Sequence, residues 1–199
     1  MLIKTYFLAK WNVAIKHNSF VKFLVIFTAV FLICYFGALF ITGLSVAGGL
    51  YSPFIDKYFD ATAWLRSSLI ISSKAFLSWI GTETYRKDEY VLQATTGRGI
   101  RIVYSCLGYG IMSFWAAYVA ATAARMRTKM LWLFGGLFLI WLINVLRLSM
   151  VLQGAVKGWR FPFGWDHHTW FNIITYMAVF MMMYLFERNY KRIEHQSVI

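Results

Sequence analysis

The sequence predicts an all-α integral membrane bundle of about four to six transmembrane or re-entrant helices, with a short extracytoplasmic hairpin before one cysteine. Three observations predict it. Of 199 residues, 60% are hydrophobic and only 14% are charged, far too apolar for a soluble domain of this length. Apolar runs long enough to cross a bilayer recur along the chain. The basic residues, which give a net charge of +12, sit mostly beside those runs, where the positive-inside rule accounts for them. The lipid bilayer is therefore the expected partner of this charge, and no nucleic acid is expected.

The elements follow in order from hydropathy and charge. A basic leader, residues 1–22 with Lys4, Lys10, Lys16 and Lys22, is expected in the cytoplasm. The run over 23–44 exceeds the apolar core of a secretory signal, although Ser45-Val46-Ala47 imitates a cleavage site, so it reads as a retained anchor running outward. A second span over 104–124 ends in the basic turn Arg125-Met126-Arg127-Thr128-Lys129 and must run inward. The third, 130–152, runs outward into a loop at 153–165 marked by Gly154, Gly158, Pro162 and Gly164. The last, 167–186, returns to the basic segment Arg188-Asn189-Tyr190-Lys191-Arg192. One membrane domain, 23–187, thus lies between the leader and a cytoplasmic tail, 188–199.

Parity constrains what lies between the first two spans. The first ends outside and the second begins outside, so a single crossing over 61–80 would violate the charge rule. That stretch carries Arg66, Lys74 and five serines with no clean polar face, and it reads as an interfacial or re-entrant helix on the outer side. The polar region 81–105 holds Glu83, Arg86, Lys87, Asp88 and Glu89. Its runs 90–94 and 100–104 flank Thr95-Thr96-Gly97-Arg98-Gly99, the pattern of a hairpin that delivers the chain to Cys106.

With this topology, residues from three spans meet near the outer face. Cys106 stands where the hairpin meets a helix N-terminus, which favours the nucleophilic thiolate. Gly108 and Gly110 read equally as openings for another chain or as helix-packing glycines. Arg147 lies within an apolar span, where an arginine marks function or snorkels to the interface. Asn144, three residues earlier, shares its helical face. His167 and His168 open the last span behind Asp166; a histidine is the usual base for a thiol, and a carboxylate can orient it. Adjacent histidines point to different sides of a helix and only Asp166 offers a third ligand, so no metal is expected, nor any other cofactor. Cys34 and Cys106 form no CxxC pair, which removes the usual disulfide-exchange motif.

Cys106-Leu107-Gly108, Asn144-Val145-Leu146-Arg147 and His168 together resemble the exosortase/archaeosortase family of membrane transpeptidases, over roughly residues 81–186. The chain looks like the compact type found in Bacteroidetes. It departs from the common pattern at Leu107, where many members carry serine, and at Asn172, where many carry glycine. The resemblance implies Cys106 as nucleophile, Arg147 as essential charge and His168 as base, with Asn144, His167, Asp166 and Gly108 in support. It implies membrane-anchored protein substrates whose C-terminal signal comprises a short motif, a transmembrane helix and a basic cluster. The enzyme would cleave this signal through a thioester, in the bacterial inner membrane with its site facing the periplasm. A competing class is a non-catalytic subunit that packs against a partner in envelope or polysaccharide export, through aromatics and Met181-Met182-Met183. A transporter would want paired intramembrane charges or broken helices, which the runs do not offer.

Overall fold

The computed structural model describes residues 19–45, 51–159 and 167–196, and at 167, 168 and 191–196 it describes the backbone alone. Residues 1–18 of the leader, residues 46–50, the segment at 160–166 with Asp166, and the last three residues lie outside the described part. Six helices and a small sheet are described: α1 (Ser19–Ser45), α2 (Pro53–Phe59), α3 (Ala61–Trp79), β1 (Thr84–Arg86), β2 (Val91–Ala94), β3 (Gly99–Arg101), α4 (Tyr109–Ala121), α5 (Met126–Lys157) and α6 (His167–Gln196). Among them α1, α5 and Thr169–Tyr190 within α6 are long and apolar enough to cross a membrane.

The lengths decide how the bundle sits in a bilayer. α5 has 32 residues, about 48 Å at 1.5 Å per residue, against roughly 30 Å of hydrocarbon. About a third of it therefore projects beyond the apolar layer, and the expected loop from 153 begins as helix, ending only at Gly158 with φ 67°. α4 is short: 13 residues rise about 20 Å, less than a full crossing. The expected span from 104 is thus corrected at its start. Tyr104–Cys106 forms a separate 3₁₀ turn, and Gly108 at φ 79° separates it from α4. α6 continues helical past the expected end at 186, through the basic segment.

α1 has no buried residue and touches the bundle along one stripe. Phe23, Phe27, Phe31 and Tyr35 recur every fourth residue, so their rings stack down a single face. That face meets α4, where Phe27 lies 5.3 Å from Phe114 and Phe23 lies 6.1 Å from Tyr118, both edge-on. Near its end α1 also meets α2 and α3, with the Thr42 and Thr62 hydroxyls 2.7 Å apart.

Two cores hold the rest. The inner one joins α4, α5 and α6 through Trp115, Val119, Ile140, Val179, Met182 and Phe186. Trp115 lies directly over Gly136, where any Cβ would overlap the indole, and its Nε1 donates to the Trp132 carbonyl at 3.0 Å. The outer core joins α3, the sheet, the cysteine turn and the upper half of α5 through Leu69, Leu77, Leu92, Ile102, Leu107, Val145 and Leu152.

α3 differs from an interfacial helix in its direction. Trp141 donates to Ser68 (3.1 Å), Ser73 to the Val145 carbonyl (3.4 Å), and Thr82 just past α3 to Gln153 (2.6 Å). Both numbers of each pair rise together, so α3 runs parallel to α5 and alongside its outer half. Its buried stripe is Thr62, Arg66, Leu69, Ile70, Ser73 and Leu77. Polar and apolar residues share that face because Thr62 and Ser73 find hydrogen-bond partners on α1 and α5, and this is why no clean amphipathic pattern shows in the sequence.

The predicted hairpin is present and gains a third strand. The antiparallel order is β1-β2-β3, with Arg86 opposite Leu92 and Leu92 opposite Ile100. Asp88 accepts from the amides of Tyr90 (2.6 Å) and Val91 (2.8 Å) and shapes the first turn; Gly97 at φ 88° shapes the second.

Candidate active site

The sheet sets the position of Cys106. From β3 the chain continues through Ile102, fully buried and bonded from its amide to the Tyr90 carbonyl at 2.7 Å. It then closes the 3₁₀ turn, where the Cys106 amide donates to the Val103 carbonyl (2.9 Å) and that of Leu107 to the Tyr104 carbonyl (3.1 Å). Leu107 is fully buried in the outer core. It anchors the turn from below and leaves Cys106, a free half-buried thiol, beside it. Leucine at this position, the departure noted in the sequence, thus has a packing role.

Gly108 serves the cysteine turn rather than an incoming chain. Its left-handed backbone favours glycine, and any Cβ there would collide with the Asn144 amide. Asn144, 4% exposed, instead lies flat against Gly108 and donates from Nδ2 to the Leu107 carbonyl at 3.2 Å. A carbonyl at a buried chain reversal is thereby satisfied from another helix. Gly110 packs toward α1, with Tyr35 at ordinary contact distance.

The Asn144 bond ties the cysteine turn to α5 at a definite height. Measured along α5 from Met126, Asn144 lies roughly 27 Å and Arg147 roughly 32 Å away at 1.5 Å per residue, the thickness of the apolar layer. Arg147 is half-buried, one turn above Asn144 on the same face. α6 supplies the third position. Phe186 meets Trp132 at 5.5 Å, and the histidines begin α6 about 27 Å farther up, near the height of Met150 on α5. The backbone of His167 and His168 therefore stands within about one helical turn in height of Arg147. Asp166 lies outside the described residues.

Two tyrosines flank the thiol that the sequence reading did not single out. Tyr104 and Tyr109 stack at 5.3 Å with planes 14° apart, bracketing the cysteine turn. The Tyr104 hydroxyl is buried and has no hydrogen-bond partner among the described residues. Burial pushes its pKa above the usual phenol value, so it carries its proton at neutral pH. The signal available in sequence was only their spacing around Cys106.

The chain is 27% identical to Archaeosortase A of Natronomonas pharaonis over 186 aligned residues, covering 78% of this chain and 57% of that protein. It thus spans a little over half the length of the relative it matches. No family model matches the chain, and no solved structure matches it. With its apolar helices and this similarity to Archaeosortase A, the chain is a multi-pass membrane protein.

Proposed function

We propose that this chain is a membrane cysteine transpeptidase or protease. In this reading it removes the C-terminal sorting signal (motif, transmembrane helix and basic cluster) of secreted proteins. The observation that carries the reading is the Asn144–Leu107 hydrogen bond, which fixes the turn bearing Cys106 against the helix bearing Arg147. The similarity to Archaeosortase A supports the class of activity.

In the proposed reaction, His168 takes the Cys106 thiol proton and the Sγ attacks the carbonyl carbon beside the recognition motif. The C=O π electrons move to oxygen, and Arg147 faces the oxyanion. The C–N bond then breaks, His168 returns the proton to the leaving amine, and a thioester remains on Cys106. An amine or water attacks the thioester and releases the thiol. Asn144 and Gly108 hold the nucleophile's turn, while Asp166 and His167 orient the base. The height of Cys106 and Arg147 at the outer end of the apolar layer suits a substrate anchored by its own helix. The site then faces the periplasm of a bacterial inner membrane.

The reading is tested in cells that co-express a secreted protein with such a tripartite tail. Wild type trims the tail, whereas Cys106→Ala and Arg147→Ala leave it intact at equal membrane levels, and His168→Ala does likewise. Trimming by Cys106→Ala at the wild-type rate would refute it.

A further inference from the structure

We propose that the open edge of β3 is a docking edge for the substrate. The segment to be cleaved lies along it as an added strand, held through its backbone, and so reaches Cys106 in extended form. The proposal rests on the transpeptidase reading for its source of peptide. The sheet has the order β1-β2-β3, so among the described residues β3 pairs on one side only. On that side the Ala94 amide donates to the Arg98 carbonyl and the Ile102 amide to the Tyr90 carbonyl, both at 2.7 Å. Together with Leu92 opposite Ile100, these bonds assign the backbone of residues 98, 100 and 102 to β2. The alternation of an antiparallel ladder then turns the amides and carbonyls of Gly99 and Arg101 away from β2, toward the open edge. Such a row is a template for another extended chain.

The faces of the strand alternate in the same rhythm. Ile100 and Ile102 pack into the outer core, where α5 lies against β3. Gly99, Arg101, Val103 and Ser105 are all exposed, so an accessible track of alternate residues runs from the edge to the half-buried Cys106. Glycine at 99 puts no side chain on the exposed face, and its Cβ position already lies 3.3 Å from the Leu92 carbonyl. Another backbone can come close there. Arg98 and Arg101 are both exposed along this edge, so two copies of it repel each other. That favours a peptide over a second copy of this chain.

Continuity with the cysteine turn identifies the occupant. Two extended residues at about 3.3 Å and three 3₁₀ residues at about 2.0 Å put Cys106 about 13 Å along the chain from Arg101. A substrate residue paired with Arg101 is therefore about four positions from the bond at the thiol. An extended segment presents its carbonyl to a thiol but leaves its own amides and carbonyls unpaired. Those groups find partners on Gly99 and Arg101. Backbone pairing holds the segment whatever its side chains, which leaves sequence choice to other contacts.

The test is disulfide trapping in membranes. The full chain carries Cys34→Ala, Cys106→Ala and Arg101→Cys, so position 101 holds its remaining thiol and no cleavage is needed. It is co-expressed with the tripartite-tail protein of the trimming experiment, which bears one cysteine at a time at successive positions before its transmembrane helix. Oxidation with copper phenanthroline is expected to trap alternate positions at least about fivefold more than those between, because neighbours in a strand face opposite ways. In the chain that keeps Cys106, Arg101→Pro removes an amide that β2 does not use and blocks the edge. It is expected to lower trimming at least about tenfold, while the melting temperature and the rate of Cys106 alkylation stay near those of wild type. Equal trapping at successive positions, or none, overturns the proposal. So does full trimming by Arg101→Pro, or a dimer of the chain linked through position 101 in place of the substrate adduct. Should Arg101→Pro fail to fold, the trapping pattern decides alone. Alternate trapping of a protein that wild type leaves untrimmed would sink the transpeptidase reading and leave the docking edge standing.

Discussion

Gly108 and Asn144 are the residue-scale link between the cysteine turn and the arginine helix. Gly108→Ala forces a side chain into left-handed backbone and into the Asn144 amide, and is expected to cost about 1–3 kcal/mol. Asn144→Ala leaves the Leu107 carbonyl without its donor and is expected to cost about 1–3 kcal/mol. Because each change disturbs the same contact, the double variant should lose less than the sum of the singles. Thermal unfolding of the four proteins in detergent measures this. Strict additivity would mean that the two side chains do not depend on each other.

At the scale of elements, the two cores make separable predictions. Gly136→Ala drives a methyl into the Trp115 indole and strains the Nε1 bond to Trp132, at an expected cost of about 1–3 kcal/mol. That contact lies in the inner core, whereas Leu107 holds the cysteine turn in the outer one. The melting temperature should fall while the rate of Cys106 alkylation stays within about twofold of wild type, since distant sites behave independently. A large change in alkylation would show that the cores move together.

The elements also show what a sequence reveals. The apolar runs gave α1, α5 and α6, because lipid demands continuous hydrophobicity whatever the packing. The hairpin was legible from Gly97 between two β-rich runs, but β1 was not: Thr84-Tyr85-Arg86 is three residues long with two of them exposed. α3 was found without its direction, because Thr62 and Ser73 face inward to partners on distant helices. The start of α4 was missed because the left-handed Gly108 is imposed by Asn144, 36 positions away in sequence. Cys106, Asn144 and Arg147 were grouped from their order relative to the spans, whereas Tyr104 and Leu107 gained meaning only from their packing.

At the scale of the whole molecule, the account requires Cys106 at the outer surface. A Cys34→Ala protein retains Cys106 as its remaining cysteine. In intact cells with a permeable outer envelope, a membrane-impermeant maleimide should label it without disruption of the inner membrane. Labelling only after that membrane is opened would invert the topology and place the arginine-rich turn outside, against the charge rule.

The central claim is that Cys106 carries the acyl group of the substrate. Wild type co-expressed with a tripartite-tail substrate, quenched in acid and digested, should yield a Cys106 peptide bearing the substrate's new C-terminus. Mass spectrometry should find this adduct lost on treatment with neutral hydroxylamine, as a thioester would be, and absent from Cys106→Ala. Trimmed substrate with no such adduct, or an adduct at another residue, would contradict the account.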